Sequence, residues 1–327
     1  MTEDNKNLYD VVIVGGGAAG LSAALMLGRS RRSVVVIDGG EPRNAPAAGV
    51  HGFLSRDGVS PAELLRVGRA EAGSYGGRTV NGQVVSAEHS EGGFALTLQD
   101  GSIVLGRRLL ITTGLVDELP DITGLRELWG KDVLHCPYCH GWEVRDKAIG
   151  ILGTGPFAAF QALLFRQWSS NITLFLNDST HPTDVELEQL AARGITVVGG
   201  PVASIRAEQG KLSGVELKDG QVIAADALVV APQFMARTDA FAGLGLKPSP
   251  HPMGMGEFLE SDADGATSVP GVWAAGNVTD LRAQVLSSAA GGAWTAVAIN
   301  ADLMAEELEA AVAAHRRSES AAPQLPF

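Results

Sequence analysis

The sequence predicts an α/β protein made of two related strand–helix–strand modules, with the second module inserted in the first. A β-branched strand, a glycine-rich turn, a helical run and a second strand occur at 9–38 and again at 147–178. After each copy comes a strand pair around an Asp-Gly turn and then a buried strand, at 94–114 and at 212–232. The tract PGVWAAGN at 270–277 has no counterpart in this repeat. We therefore expect it to return to the first module and complete it.

Length and composition limit the class of protein. The chain has 327 residues, of which 45% are hydrophobic, so it can bury the cores of two domains and is not a disordered chain. It carries 25 Lys and Arg against 37 Asp and Glu, a net charge of −12. Because nucleic-acid binding needs a basic surface for the phosphates, no nucleic-acid partner is expected.

The repeat also predicts domain boundaries. We expect residues 1–115 to form the first part of one dinucleotide-binding domain and 116–242 to form the inserted domain. Residues 243–327 would complete the first domain through a helix from Gln284 to Glu309. The polar end of the chain contains two prolines, and we expect a frayed tail from about residue 312.

One uncharged stretch, 11–28, could be mistaken for a membrane span. Four of its glycines fall together at 15–20, and only its first four positions are β-branched, which favours a strand, a turn and a helix. The first ten residues are polar and acidic, which is not the pattern of a signal peptide. Two cysteines make no disulfide framework, so we expect a cytoplasmic protein without a membrane partner.

The first glycine-rich turn carries the fingerprint of a dinucleotide-binding site. Gly15, Gly17 and Gly20 follow a β-branched strand and open a helix, and Asp38 ends the next strand. The first glycine makes the turn, the second lets the backbone approach a pyrophosphate, and the third allows close helix packing. Asp38 would accept a hydrogen bond from a ribose hydroxyl. The pattern thus indicates a Rossmann-like, three-layer domain rather than a plain glycine-rich turn.

The second turn gives a weaker signal. Gly153, Gly155 and Ala158 repeat the spacing, but the strand that follows ends in Asn-Asp-Ser-Thr at 177–180. A 2′-phosphate needs a nearby arginine, and the next arginine is Arg193. The sequence therefore argues against NADPH and leaves two alternatives, NADH binding and a module that binds no nicotinamide.

The tetrad Cys136-Pro-Tyr-Cys139 predicts redox chemistry. Two thiols at this spacing can close a small disulfide, and an adjacent histidine, His140, can take up and return the protons of thiol–disulfide exchange. A zinc site that also used His135 is one alternative, although neighbours in sequence seldom converge on one metal. A purely structural disulfide is another, but so short a loop stabilises little. We therefore predict a redox pair and no metal.

One further histidine is a candidate for the site. His51 lies in a glycine-rich loop after the second strand of the first module. The reactive end of a ligand could lie there, and an ordinary loop histidine is the alternative.

Taken together, these motifs resemble the low-molecular-weight thioredoxin reductases. The resemblance rests on GGGAAG, ITTG, the CxxC, GTGPFA and PGVWAAGNVTD in that order, and it spans about residues 9 to 305. It implies that the first module binds FAD and that the second carries the dithiol and is placed like an NADPH domain. It also implies a homodimer.

Three departures from that family bear on function. The thioredoxin reductases have an aspartate where this chain has His140, and an arginine cluster that this chain lacks. The motif CPYCHG looks instead like the flavin-dependent dithiol oxidases of the holomycin and gliotoxin type, which pass electrons from a dithiol through FAD to oxygen. Asn277 replaces an aspartate that contacts the ribityl chain, and an amide can still hydrogen-bond a hydroxyl.

The resemblance implies a role for each matching residue. Cys136 would be the interchange thiol, Cys139 the thiol against the flavin, and His140 the acid and base. The implied FAD contacts run from the pyrophosphate and adenosine to the ribityl chain and flavin ring: Gly15, Gly17, Ala18, Gly20, Asp38, Val84, Thr113, Gly114, Gly276, Asn277, Gln284 and Val285.

Three functions follow as hypotheses. The first is a dithiol oxidase that passes electrons to oxygen, favoured by His140 and the missing arginines. The second is a reductase of thioredoxin or a small disulfide that uses NAD(P)H or another donor, favoured by Gly153 and Gly155. The third is a non-enzymatic flavin redox sensor. The expected partner is a small-molecule dithiol or disulfide, or a thioredoxin-like protein.

Overall fold

The computed structural model describes residues 8–179 and 181–320 of the chain. The predicted features at 1–7, at Thr180 and at 321–327 lie outside the described residues. The first module opens with six strands and two helices, namely β1 (Leu8–Val14), α1 (Ala18–Arg29), β2 (Val34–Asp38), α2 (Pro61–Ser74), β3 (Arg78–Asn81), β4 (Val84–Ser90), β5 (Gly93–Leu98) and β6 (Ile103–Ile111).

A connecting strand, β7 (Leu115–Glu118), then leads into the second module. That module contains β8 (Val133–Leu134), α3 (Pro137–His140), β9 (Ile149–Leu152), α4 (Ala158–Phe165), β10 (Ile172–Phe175), α5 (Asp184–Ala192), β11 (Thr196–Val198), β12 (Val202–Glu208), β13 (Lys211–Leu217), β14 (Val222–Ala224) and β15 (Ala227–Val230). Five of its strands form a parallel sheet in the order β11-β10-β9-β15-β8. Strands β12 to β14 form a separate antiparallel sheet.

The chain then returns to the first module through β16 (Gln233–Ala236), β17 (Ser249–Pro250), β18 (Gly256–Phe258), β19 (Val272–Ala274) and α6 (Val285–Ser320). Strand β16 pairs antiparallel with β7, so the two connections between the modules are hydrogen-bonded to each other. Strands β17 and β18 extend this connecting sheet.

The first sheet confirms the predicted insertion. Its strand order is β3-β2-β1-β6-β5-β4, and β19 lies parallel to the last part of β6. The tract at 270–277 therefore returns to the first module, as the sequence predicts. The hairpins at Asp100-Gly101 and Asp219-Gly220 are also confirmed, as β5–β6 and β13–β14. The fold class is α/β with two Rossmann-like, three-layer domains, the second inserted in the first.

The uncharged stretch 11–28 forms the end of β1, the glycine-rich turn and most of α1. Residues 11–14 of β1 are all buried, because the central strand of a parallel sheet is covered on both faces. Within residues 8–179 and 181–320, no helix is both long and apolar enough to cross a membrane.

Helix α6 packs across α1 and then continues past it. At Gly292 a Cβ would collide with the backbone of Ala19, so a glycine is needed where the helices cross. Ala296, Ile299 and Leu303 are buried on the same side, whereas 304–318 are exposed. The helix runs to Ser320, so the predicted tail from about residue 312 is wrong as far as the described residues extend.

Candidate active site

A cavity of about 890 Å³ lies between the glycine-rich turn of the first module and the CxxC of the second. Its volume is within the range of cofactor and ligand pockets. Every residue predicted for the site lines it except Gly20. The cavity therefore brings together segments that are far apart in the sequence.

The glycine-rich turn forms one end of the cavity. Gly15 has a φ of +109° and lies against the carbonyl of Thr112, so a side chain there is excluded. A Cβ on Gly20 would meet the hydroxyl of Thr112 at 2.7 Å, which explains why Gly20 packs behind the cavity instead of lining it. By contrast, no atom lies within 4 Å of the position of a Cβ on Gly17. Gly17 thus presents open space in front of α1.

The start of α1 is suited to an anion. Gly17 is its N-cap, no side chain caps the helix, and no acidic residue occupies its first turn. The free N–H groups and the helix dipole at such an end favour a phosphate. Asp38 ends β2 beside this turn, and its carboxylate accepts from the N–H of Gly40 at 3.2 Å. Arg69 lies 3.6 Å from the same carboxylate.

Three other predicted residues of the first module also line the cavity. Val84 is buried at the start of β4, and Thr113 and Gly114 follow β6. The hydroxyl of Thr113 donates to the carbonyl of Arg237 at 2.6 Å, which fixes this loop against the end of β16.

The opposite wall is formed by the returning segment. Gly276 has a φ of +85°, and Gln284 and Val285 lie at the start of α6. The amide nitrogen of Asn277 donates to the carbonyl of Ala283 at 2.8 Å and of Asp280 at 3.4 Å. A carboxylate cannot donate these bonds, so the asparagine closes its own loop in a way that an aspartate could not.

These residues fit FAD. The open Gly17, the uncapped helix and Asp38 match a pyrophosphate and a ribose, and the space extends from there to the cysteines. The cavity that could hold the cofactor is lined by the predicted residues other than Gly20, and also by Thr112, which that prediction missed. The hydroxyl of Thr112 donates to the carbonyls of Val14 and Gly15, at 3.0 and 2.8 Å, and so shapes the turn.

The redox pair lies at the other end of the cavity. Cys136 and Cys139 form a disulfide, with their Cα atoms 5.3 Å apart. Cys136 is the residue before α3, and Cys139 lies within this helix of four residues. The N–H groups of Cys139 and His140 both donate to the carbonyl of Cys136, at 3.3 and 3.2 Å. Both sulfur-bearing residues line the cavity.

His140 ends α3 and also lines the cavity. Burial lowers the pKa of His140 below its ordinary value, the nearby Glu143 carboxylate opposes this, and His51 adds to it. The imidazole is therefore neutral near pH 7 and available to accept a proton.

The preceding histidine has a different environment. His135 contacts the carbonyl of Val230 through Nδ1 at 3.2 Å and packs edge-on against Phe234. Burial is the main cause that lowers the pKa of His135. Among the described residues, no group of three or more His, Cys, Asp or Glu side chains is arranged to hold a metal.

His51 reaches the site from the first module, which the sequence raised only as one alternative. Its Nε2 lies 3.5 Å from Glu143 and its Nδ1 lies 3.5 Å from Asp57. It lines the cavity together with both cysteines and His140.

The second glycine-rich turn differs from the first. A Cβ on Gly153 would meet Leu176 and Ser179 at 2.5 Å. By contrast, a Cβ on Gly155 would have no atom within 4 Å. Asn177 accepts from the N–H of Val202 at 2.9 Å, and Asp178 is exposed. The strand end that would select a nucleotide is therefore bonded to its own module and carries an acidic group.

A dinucleotide cradle that shares a cavity with a disulfide defines an FAD-dependent oxidoreductase that acts on sulfur groups. Residues 9–316 match the family described as pyridine nucleotide-disulphide oxidoreductase, and the chain belongs to that family. The predicted resemblance to thioredoxin reductases is confirmed.

Individual relatives cover most of the chain. Thioredoxin reductase tcpT of Claviceps purpurea is 32% identical over 291 residues, which are 83% of this chain and 87% of that protein. The crystal structure of HlmI is 45% identical, covers 96% of this chain and 98% of its own, and superimposes with a TM-score of 0.88. The oxidoreductase from Agrobacterium tumefaciens is 35% identical, covers 90% and 98%, and has a TM-score of 0.84.

Proposed function

We propose that this enzyme is a dithiol oxidase, which converts a small-molecule dithiol to a disulfide and passes the electrons to oxygen. The observation that carries the proposal is a contrast between the surroundings of the disulfide and the second glycine-rich turn. His140 lies beside the disulfide in the FAD cavity, while the second module offers Asn177 and Asp178 where a 2′-phosphate would need arginine. Such a site can exchange electrons with thiols without a nicotinamide.

The protein's part of the reaction is thiol–disulfide exchange. A substrate thiolate attacks Sγ of Cys136, which breaks its bond to Cys139 and forms a mixed disulfide. The second substrate thiolate then attacks the substrate sulfur of that mixed disulfide, forms the substrate disulfide and releases Cys136 as a thiolate. Bound FAD supplies the two-electron acceptor that restores the Cys136–Cys139 disulfide and that oxygen can reoxidise.

His140 handles the protons of these steps. Each attack requires a thiolate, and a neutral imidazole beside the pair can accept the proton that the thiol gives up. As the resemblance to the thioredoxin reductases implies, we assign contact with the substrate to Cys136 and contact with the flavin to Cys139.

A second function is an NAD(P)H-dependent reductase of thioredoxin or a small disulfide. The open space at Gly155 and the uncapped start of α4 favour it, because both features also occur at the first turn. Under that function the same cysteines would carry electrons in the opposite direction. The homodimer and the cytoplasmic location stay predictions.

The two functions are separated by anaerobic mixing of the purified FAD-loaded protein with dithiothreitol, NADPH or NADH. We expect dithiothreitol alone to bleach the flavin quickly, and peroxide to appear when air is admitted. The variants Cys136→Ser and Cys139→Ser should keep FAD but lose bleaching by the dithiol. Rapid bleaching of the wild-type protein by either nicotinamide would contradict the oxidase and support the reductase.

A further inference from the structure

Arg43 makes a directional contact in the wall of the cavity. It lies in the loop 41–60 of the first module, and its guanidinium donates twice to the carboxylate of Asp117, from Nε at 2.8 Å and from Nη2 at 2.6 Å. The side chain of Arg43 is 29% exposed and that of Asp117 is 8% exposed. Two parallel hydrogen bonds between planar groups set both the distance and the angle of a contact. Because water has little access to this pair, it should contribute more than an exposed ion pair does.

The partners of Arg43 lie on the two connections between the modules. Asp117 is on β7, which enters the inserted module, and Phe234 is directly opposite it on β16, which leaves that module. The guanidinium carbon of Arg43 is 5.1 Å from the centre of the Phe234 ring, within the range of a cation–π contact. Arg43 thus bridges both connecting strands from the side of the first module.

Phe234 continues these contacts towards the redox pair. Its ring packs edge-on against the imidazole of His135, with the ring centroids 5.1 Å apart. His135 directly precedes Cys136, and its Nδ1 lies 3.2 Å from the carbonyl of Val230 at the end of β15. One aromatic ring therefore separates the guanidinium of Arg43 from the segment that bears the disulfide.

The loop 41–60 also touches the inserted module at two further points. A Cβ on Gly130 would meet the side chain of Pro46 at 2.6 Å, so the loop packs closely on the inserted module there. His51 lies 3.5 Å from Glu143, but Glu143 is 43% exposed, and an exposed pair of this kind contributes little. Of these three contacts, the one made by Arg43 is both shielded from water and fixed in direction.

We propose that Arg43 is a positioning residue, which holds the inserted module in the orientation in which Cys136 and Cys139 line the FAD cavity. This inference rests on the proposed function, since a disulfide that exchanges electrons with FAD has to stay within reach of the flavin. The substitution Arg43→Lys keeps the charge but loses the two parallel hydrogen bonds, so it should loosen this orientation.

A looser orientation changes the surroundings of the two sulfur atoms unequally. With Cys139 against the flavin and Cys136 towards the substrate, separation of the modules uncovers Cys139, whereas Cys136 is accessible before and after. The rate of the reaction should suffer too, because a misplacement of reacting groups by about 1 Å can cost about 100-fold. The accessibility of Cys139 therefore reports on the orientation that Arg43 maintains.

The test measures the rate at which iodoacetamide alkylates each thiol in the FAD-loaded protein. The chain has only two cysteines, so Cys136→Ser and Cys139→Ser backgrounds each leave one thiol and need no reductant. Arg43→Lys and Asp117→Asn are introduced into each background, singly and together. Thermal unfolding and titration with FAD show that each variant is folded and loaded.

A second arginine provides a matched control. Arg66 donates twice to the carboxylate of Glu63, from Nε and from Nη2, both at 2.7 Å. This pair has the same geometry as that of Arg43, but both residues lie on α2 and neither lines the cavity. Arg66→Lys should therefore leave the alkylation rates of both thiols unchanged.

We expect Arg43→Lys and Asp117→Asn each to raise the alkylation rate of Cys139 by about 10-fold, the size of effect that loss of one charge-assisted hydrogen bond produces. The rate of Cys136 should stay at the wild-type value. The double variant should be no faster than the faster single variant, because both substitutions remove the same contact.

Three results would overturn this role of Arg43. In the first, both single variants alkylate Cys139 at the wild-type rate. In the second, both thiols react faster to the same extent, which is the behaviour of a globally destabilised protein. In the third, FAD affinity falls and excess FAD restores the wild-type rate, which would assign Arg43 to cofactor binding. Bleaching of the wild-type flavin by dithiothreitol tests the proposed function, and alkylation tests Arg43, so the two can fail separately.

Discussion

The two glycine-rich turns of this chain have the same spacing but different surroundings. At the first, Gly17 faces a cavity whose far walls come from the CxxC helix and from the segment that begins at Gly276. At the second, the strand end folds back on its own module, with Asn177 and Asp178 at φ values of +47° and +55°. A glycine pattern therefore predicts a turn, and the segments that close over the turn decide what it binds.

The strand that follows each turn shows the same contrast. Asp38 keeps a carboxylate beside the first turn, where a ribose hydroxyl could donate to it. Asn177 uses its side chain to bond Val202 and Gly153. One position is thus kept for a ligand, and the other stabilises the fold of its module.

The largest difference should appear in stability. Gly15→Val places a side chain against the Thr112 carbonyl at a φ of +109°, and we expect a loss of about 3 kcal/mol or more. Gly155→Val has open space and should change stability by less than about 0.5 kcal/mol. Denaturant unfolding of both variants measures this. Similar losses in the two would show that the turns are equally constrained.

FAD affinity gives a more selective comparison. Gly17→Val and Gly155→Val both enter open space, so both apoproteins should fold normally. Only Gly17→Val blocks the approach of a pyrophosphate, and we expect it to weaken FAD binding by about 100-fold, or about 2.8 kcal/mol. Titration of the apoproteins with FAD checks this. Equal affinities of the two variants for FAD would show that Gly17 does not lie against the pyrophosphate.

A smaller effect should distinguish Asn177 as a structural residue. Asn177→Ala removes the acceptor for the N–H of Val202, and we expect a cost of about 1 kcal/mol. Bleaching of the flavin by dithiothreitol should stay at the wild-type rate, since the residue is outside the FAD cavity. A slower reaction would show that the second turn takes part in dithiol oxidation.

The smallest effect should come from pH. Burial lowers the pKa of both His135 and His140, so the unfolded chain binds more protons than the folded chain just below pH 6.5. The contribution of these two neutral histidines to the free energy of unfolding should be fully present above that pH. It should be lost as the pH drops towards and through their lowered pKa values in the folded protein. Thermal unfolding against pH should show a weaker dependence in His135→Gln than in the wild type. A stronger pH dependence in His135→Gln than in the wild type would indicate that a charged imidazole of His135 stabilises the folded protein.

Much of the fold could be predicted because its signals are local. Strand periodicity, turn glycines and the repeat itself gave the two modules and the insertion. The extension of α6 was missed because the prolines near the end of the chain weighed against a helix, although Ala, Glu and Leu between 305 and 314 are strong helix formers.

From the sequence, only those site residues could be predicted that belong to a local motif. The contacts of His51 with Glu143 and of Arg43 with Asp117 join residues that are distant in the chain, and no local pattern reports such pairs. The same holds for Gly292, whose neighbour is Ala19. Neither the spacing of residues in the sequence nor the composition contains that information, because these contacts form only when distant parts of the chain pack together.

The pairing of β19 with β6 has a consequence for synthesis on the ribosome. Leu109–Ile111 of β6 emerge early, but their partner Val272–Ala274 is translated only after the whole inserted module. The inserted sheet, by contrast, has all its strands by Val230 and can fold as the chain emerges. The wall from Gly276 to Val285 comes later still, so a nascent chain gains its complete FAD cavity only after Val285 has been translated.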